Sequence, residues 1–485
     1  MRRIHRKEVR AELPGEFLSH MAALLDDEYP AFFASLHESP HSGLRVNTLK
    51  LSAEEFKKIS PFDLVPIPWC ANGFIIHESG QKLGQYSPGK HPYHGAGIYY
   101  LQEPSAMAVA EVLGPQPGMK VLDLAAAPGG KATHLASLMQ NAGILMANEI
   151  HPSRVRDLAE NLERCGVTNA FVTNETPEHL ADRLGEFFDC VLLDAPCSGE
   201  GMFRKSHQAR VEWKPDSPAS CAIRQRVILE QAARLVKVGG SLAYTTCTFS
   251  PEENEAVICD FLTAHGDFEI KAIQPAAGLQ PARPDWIGLP KEDALSQAVR
   301  IWPHLSKAEG HFIALLFKHS STGANDQPAS QKYDHSNRYK GSTSEDVRLA
   351  RRIWTDFAAL NLRSSLKEQD VTVVGSRIYL LSQGMPNLAG LKVIHPGWYL
   401  GRVHNQRFIP SHALALGIPP RHAASNIPLG AGDPSLRAYL AGECFQQAGD
   451  DGWVLISVDG FSIGWGKRVQ GVVKNFYPRG LRRVR

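Results

Sequence analysis

No stretch of this 485-residue chain is apolar over the roughly 18 residues that a membrane-crossing helix requires. The basic N-terminus, MRRIHRKEVRAELPGEF, has no apolar segment behind it and so is not a secretory signal; a cytoplasmic location is expected, with no membrane partner. Cysteine is sparse, with eight residues at 70, 165, 190, 197, 221, 247, 259 and 444, and no two have C-x-x-C spacing. Zinc ribbons and thioredoxin-like motifs are thereby excluded. No metal is expected, and in a cytosolic chain of this size the thiols should be reduced. No repeat recurs at solenoid spacing. With 43% hydrophobic and 21% charged residues, wholesale disorder, a collagen repeat and a coiled coil are all excluded. The length allows two to four domains of about 100–200 residues each.

Net charge is also nearly absent, +2 from 52 basic and 50 acidic residues, but the ends depart from this average. Arg2, Arg3, Arg6, Lys7 and Arg10 face only Glu8; this cluster by itself reads as a solubilising tail. From Lys467 to Arg485 there are seven cations and no acid: Lys467, Arg468, Lys474, Arg479, Arg482, Arg483 and Arg485. Cations beside Trp465, Phe476 and Tyr477 fit a polyanion whose phosphates they neutralise and whose bases the aromatics stack on, as RNA offers.

Residues 1–100 are mixed, with Leu44–Leu49 alternating as a half-buried strand does. From 101 to 318, strands and helices alternate: strands at 119–124, 144–148, 190–193 and 241–246, helices at 131–140, 153–164 and 223–236, and a closing strand pair at 299–302 and 312–317. Ser250-Pro251-Glu252-Glu253 has the composition of a helix start, with Ser250 as cap. Such alternation predicts an α/β fold with a doubly wound parallel sheet. The polar stretch 319–345 reads as a linker. Beyond it, Asp459-Gly460 between two apolar runs is a two-residue hairpin signal.

Three motifs carry chemistry. Asp123-Leu-Ala-Ala-Ala-Pro-Gly-Gly-Lys131 follows a buried strand with small residues and a Gly-Gly turn that opens a helix. It is neither G-x-G-x-x-G nor a phosphate loop, so a small cofactor other than a dinucleotide is implied. Glu149 ends the next strand, where a carboxylate can accept from ribose hydroxyls. Asp194-Ala-Pro-Cys197-Ser-Gly and Thr245-Thr-Cys247-Thr each follow another strand, so two thiols and a carboxylate reach one crevice. A helix beginning directly after Cys247 would favour its thiolate. A reaction that uses these groups is methylation of cytosine carbon 5. That carbon becomes nucleophilic only after a thiolate adds to carbon 6. Asp194 can hydrogen-bond the base and Lys131 can orient its ring. Methylating an exocyclic amine needs no thiol.

The set Ala125-Ala126-Ala127-Pro128-Gly129-Gly130-Lys131, Asp194-Ala-Pro-Cys197-Ser and Thr246-Cys247-Thr248 resembles the Sun-type RNA cytosine-5 methyltransferases over about residues 40–318. The resemblance implies a Rossmann-like core using S-adenosylmethionine, with Cys247 as nucleophile, Cys197 assisting breakdown of the adduct, and Asp194 and Lys131 holding the base. It places the cofactor on Ala125 through Lys131, Asp194, Glu149 and Arg154, with Thr176 in register with the family's adenosine-binding acid. Arg45-Val-Asn47-Thr-Leu-Lys50, Gly464-Trp-Gly-Lys467-Arg468 and Asn475-Phe-Tyr-Pro-Arg479 resemble the flanking modules of the bacterial branch acting on small-subunit ribosomal RNA. RNA contact is accordingly expected from Arg45, Asn47, Lys467, Arg468, Lys474 and Arg479. The expected layout is an N-terminal α+β RNA-binding module over 1–100, the methyltransferase domain over 101–318, the linker, a small connecting domain over 346–405 and a PUA-like β-rich domain over 406–485. The expected partner is ribosomal RNA or the small ribosomal subunit, bound by a monomer, and not DNA. Two alternatives are the same chemistry on transfer RNA and a ribosome-assembly RNA-binding protein with vestigial catalysis.

Overall fold

The computed structural model describes residues 12–77, 87–320, 344–363, 366 and 371–483. The N-terminal basic cluster and most of the expected linker lie outside the described residues, as does Arg485. The N-terminal module pairs β1 (Ser42–Val46), β2 (Leu64–Ile67), β3 (Cys70–Ile76) and β4 (Tyr99–Leu101) antiparallel in the order β2-β3-β1-β4. Ser52 caps the helix Ala53–Ile59 in a reciprocal box with Glu55.

β1 is not half-exposed, as its alternation implied, because the catalytic domain covers its polar side. Arg45 is 1% exposed and donates from NH1 to the Gly130 carbonyl (2.7 Å) and from NH2 to Thr133 Oγ1 (2.8 Å). Asn47, 3% exposed, donates to the carbonyls of Gly97 and Cys165, both at 2.7 Å. Neither side chain is available to RNA. Both clamp the module onto the catalytic domain, and the expectation of RNA contact at these positions is corrected.

The central sheet is built from β5 (Lys120–Asp123), β6 (Ile144–Asn148), β7 (Ala170–Thr173), β8 (Phe188–Asp194) and β9 (Val236–Thr246), all parallel. Antiparallel strands β10 (Phe268–Lys271), β11 (Leu279–Pro281), β12 (Val299–Ile301) and β13 (His311–Lys318) complete one side. The order is β11-β12-β13-β9-β8-β5-β6-β7, so the chain reverses direction across the sheet between β5 and β8. Strands this apolar need cover on both faces. Helices 154–165 and 130–138 bury Leu158, Leu162 and Leu135 on one side, and helices 217–235 and 255–264 bury Leu229 and Ile258 on the other.

Ser250 does not cap a helix. Its hydroxyl donates to Glu252 (2.5 Å), residues 251–254 form turns, and the helix runs Glu255–Ala264 with Asn254 at its start. Its first residue is eight past Cys247, but the chain folds back so that Asn254 at the helix start accepts from Thr246 Oγ1 (2.6 Å) and donates to the Thr248 carbonyl (3.0 Å), the two neighbours of Cys247.

The C-terminal part does not divide where expected. β14 (Thr372–Val374), β15 (Arg377–Leu380), β16 (Val393–His395), β17 (Trp398–His404) and β18 (Arg407–Pro410) include a sheet ordered β14-β15-β17-β18. A boundary at 405/406 would fall on Asn405 and Gln406, the turn of the β17–β18 hairpin. β16 leaves that sheet and pairs antiparallel with β7, extending the catalytic sheet. Finally β19 (Asn426–Leu429), β20 (Phe445–Gln446), β21 (Gly452–Val458), β22 (Phe461–Val469) and β23 (Val472–Asn475) form a sheet ordered β19-β21-β22-β23-β20. The β21–β22 hairpin turns at Asp459 (φ 46°) and Gly460 (φ 88°), the left-handed conformation that an Asp-Gly pair adopts readily. This sheet shares one apolar core with the N-terminal module: Val46, Phe56 and Tyr99 pack with Leu436, Tyr439, Ile456 and Tyr477.

Candidate active site

β5, β8 and β9 end side by side, and Asp194 is in register with Thr245. The loops beyond them carry the sequence-predicted residues into one crevice, beside the switch in strand order where such sheets bind ligands. Lys131, on the first turn of its helix, donates to Asp194 Oδ2 at 2.7 Å. Burial opposes the Lys131 ammonium, but the Asp194 carboxylate and its hydrogen bond outweigh it and hold the amine above its usual value. Cys197 Sγ lies 3.4 Å from Cys247 Sγ, both as free thiols. The hydrogen bond to Cys247, then burial, push the Cys197 thiol well up, so it stays protonated at neutral pH.

The two cysteine loops are tied by buried carboxylates that no motif in the sequence marks out. Ser198 donates to Glu253 from Oγ (2.5 Å) and from its backbone N–H (2.9 Å), while Gln225 bridges the Pro196 carbonyl (3.0 Å) and Glu253 (2.8 Å). Glu200 Oε2 accepts from Thr248 Oγ1 (2.9 Å) and the Phe249 N–H (3.1 Å). Burial, then the Glu253 charge, raise the Glu200 carboxyl to about 7; burial also raises Glu253. Glu255 pairs with Arg300 through Oε1 to Nε (2.8 Å) and Oε2 to NH2 (2.5 Å), both side chains buried. In sequence Glu253 looks like a charged residue of a helix start, and nothing local sets Glu200 or Glu255 apart. Only the way the loops fold over them makes them internal braces.

On the cofactor side, the backbone of Ala125 to Gly130 crosses the top of β5 and β6. The Ala126 N–H donates to the Asn148 carbonyl (2.8 Å), and Arg154 NH2 donates to the Ala127 carbonyl (2.7 Å). Arg154 NH1 lies 3.3 Å from Glu149 Oε2, so Arg154 braces the loop and Glu149 together. Glu149 is 2% exposed; Oε1 accepts from the His151 N–H (2.8 Å), while Oε2 has no hydrogen bond among the described residues. Thr176 is exposed and its hydroxyl accepts from the His179 N–H, capping the helix Pro177–Leu184. Asp123 opens the first motif, where its residue type alone assigns it no role. It is fully buried, neither carboxylate oxygen has a hydrogen-bond partner among the described residues, and burial followed by the Asp194 charge pushes it up to about 8. An acid closing an apolar strand is the sequence signal that points to it.

The C-terminal candidates separate into two groups. Lys474 and Arg479 are exposed, and the half-buried Lys467 holds its ammonium 5.6 Å over the Trp453 ring. Arg468 is 6% exposed and donates to the Asp450 carbonyl (3.0 Å), so its expected RNA contact is corrected to a structural one. Trp465 and Tyr477 belong to apolar cores, which leaves Phe476 as the exposed aromatic of that set.

A family model described as "16S rRNA methyltransferase RsmB/F" matches residues 110–317. Models for the RsmF N-terminal domain, first C-terminal domain and PUA domain match 13–104, 356–418 and 427–483. The chain is 32% identical over 483 residues, 97% of each protein, to the ribosomal RNA small subunit methyltransferase F of Vibrio atlanticus (strain LGP32). A crystallised methyltransferase homolog protein from Pyrococcus horikoshii is 32% identical, with a TM-score of 0.53 over 60% of this chain and 91% of that one. NSun6 from the same organism, solved with SFG, shares the fold at a TM-score of 0.54 over 64% of this chain and 99% of that one, with 23% identity. The strand-end crevice with its paired thiols and the match of four successive family models across nearly the whole chain agree: the chain belongs to the 16S rRNA methyltransferase RsmB/F family.

Proposed function

We propose that this chain methylates carbon 5 of cytosine in small-subunit ribosomal RNA, with S-adenosylmethionine as methyl donor and Cys247 as covalent nucleophile. The observation that carries the reading is the pairing of the two thiols at 3.4 Å beside the Lys131–Asp194 ion pair. The residues fit the cofactor. Asp123 and Glu149 present buried carboxylate oxygens without hydrogen bonds, which suit a ligand bringing an ammonium and ribose hydroxyls. The Ala125–Lys131 loop and Glu149 would hold it, with Arg154 as brace and Thr176 at the rim. Once bound, S-adenosylmethionine supplies an electrophilic methyl group.

The chain's own residues do the rest. Cys247, as thiolate, adds to carbon 6 and makes carbon 5 enamine-like. Asp194 hydrogen-bonds the base edge, and Lys131 holds the carboxylate and steadies the charge of the adduct. After carbon 5 has gained its methyl group, its proton passes to water entering the crevice, the electron pair of the carbon 5–hydrogen bond restores the 5,6 double bond, and the carbon 6–sulfur bond breaks, returning Cys247 to thiolate. A neutral Cys197 thiol stabilises that leaving sulfur by donating a hydrogen bond to it, a role that suits its raised pKa better than that of a base. The exposed cations Lys474 and Arg479, with Lys467, supply phosphate contacts from the C-terminal domain. No observation favours transfer RNA, and the intact thiol pair and ion pair count against vestigial catalysis.

The test separates the cysteines. Cys247→Ala should abolish both methylation and any covalent RNA complex. Cys197→Ala should accumulate a denaturant-resistant complex that requires cofactor and cytosine-containing RNA. Trapping by Cys247→Ala instead would exchange the roles, and unchanged methylation in both variants would remove the covalent mechanism.

A further inference from the structure

His311 opens β13, and the sheet register sets its direction. Ile313 lies opposite Thr245, which is in register with Asp194. Side chains two apart on a strand share a face, so His311 projects on the face that carries Asp194. That is also the face covered by the helix bearing Lys131, since Ile313 packs with Ala132 and Leu135. His311 is 7% exposed and lies within electrostatic reach of both Lys131 and Asp194.

Its hydrogen bonding fixes its tautomer. Glu103 accepts from the backbone N–H of Ala106 and of Glu309, both at 2.9 Å, and from the Ser105 hydroxyl. Ser105 Oγ also lies 2.8 Å from His311 Nδ1. The single hydroxyl proton of Ser105 goes to the carboxylate, so the contact with His311 is an Nδ1–H donated to Ser105 Oγ. Nε2 is then a bare lone pair, buried, with no hydrogen-bond partner among the described residues. Burial, then the Lys131 charge, lower the imidazole to about 4, which keeps it neutral at working pH. A buried acceptor locked in orientation and left unsatisfied beside the crevice calls for a donor.

We propose that His311 is a specificity residue whose Nε2 accepts a hydrogen bond from the exocyclic amine of the target cytosine. This rests on the functional reading above and deepens it. Uracil carries a carbonyl oxygen where cytosine carries the amine, so it would set lone pair against lone pair, and a site built around an acceptor rejects it.

The test removes the amine and the imidazole separately. The methylated position is first located by bisulfite sequencing of small-subunit ribosomal RNA. Transcripts carrying cytidine, or the pyrimidin-2-one riboside that lacks the amine, at that position are then given to wild type, His311→Leu and His311→Gln with labelled cofactor. Single-turnover methyl transfer is measured. The preference for cytidine should fall on the order of 10-fold or more in His311→Leu, the scale of one hydrogen bond. His311→Gln, whose amide oxygen accepts, should recover part of it. A purely structural role slows both substrates alike, so an unchanged preference overturns the proposal, as does a variant that transfers to neither. Absence of Cys247-dependent transfer by wild type to either RNA would overturn the functional reading itself, and this inference with it.

Discussion

Asp123 and Glu149 end adjacent strands, and both bury carboxylate oxygens that lack hydrogen-bond partners among the described residues. Glu149→Gln should weaken S-adenosylmethionine binding by about 1–3 kcal/mol, the scale of hydrogen bonds to a charged group; equal affinities by calorimetry in folded proteins would refute the assignment. Asp123 titrates near 8 when folded, against about 3.9 when unfolded. Between those values the folded state keeps a proton that the unfolded chain has lost, so this group lowers stability progressively as pH rises from about 4 to 8. Asp123→Asn removes that dependence. In denaturant titrations without cofactor, the variant should gain on wild type between pH 5 and pH 8, whereas a constant difference would contradict the buried-acid assignment. The sequence displayed both acids at strand ends, but the burial of both Asp123 oxygens and of Glu149 Oε2 without hydrogen bonds among the described residues is a property of the closed fold.

At the scale of elements, the stretch from Thr246 to Ala264 shows where local reading stops. Ser-Pro-Glu-Glu has the composition of a helix start, yet tertiary demands override it. Glu253 turns inward to hold Ser198, Glu255 is drawn to Arg300, and the helix begins at Glu255. Arg300 is itself enclosed, lying within 4.9 Å of the Trp286 ring centroid and 5.3 Å of that of Trp302. Glu255→Gln leaves that guanidinium without a counter-charge, and breaking a buried pair from one side costs about 3–5 kcal/mol. Chemical denaturation should show a loss of that order; a loss under about 1 kcal/mol, the range of an exposed pair, would mean that water reaches Arg300.

Across the whole molecule, the C-terminal part is not a detachable appendage. β16 covers the edge of β7, and the last sheet shares a core with the N-terminal module. Cutting the chain near 345 would expose a strand edge and an apolar face together. RNA binding is better tested by point changes. Replacing Lys467, Lys474 and Arg479 together with Gln should weaken it. The dependence of log affinity on log salt should also flatten, by about 0.7 for every phosphate of single-stranded RNA that is no longer neutralised. Cofactor affinity should stay unchanged. An unaltered salt slope would place the phosphate-binding cations elsewhere.

What the sequence determined by itself is whatever depends on short spacings: the strand–helix alternation, the small-residue loop after β5, both cysteines and Asp194 at strand ends, and the Asp-Gly hairpin turn. Periodicity and turn chemistry are local, and a parallel sheet delivers its strand ends to one crevice whatever else the chain does. What only the tertiary structure decided depends on which surface meets which. Arg45, Asn47 and Arg468 lie in segments whose resemblance to RNA-binding modules implied nucleic-acid contact, yet they are buried clamps because another surface packs over each of them. Glu200 and Glu253 became braces for the same reason, and His311 became an oriented acceptor because Glu103 and Ser105, some 200 residues earlier, close against it. Burial and pairing between distant segments are set by packing, and no local pattern of residues records them.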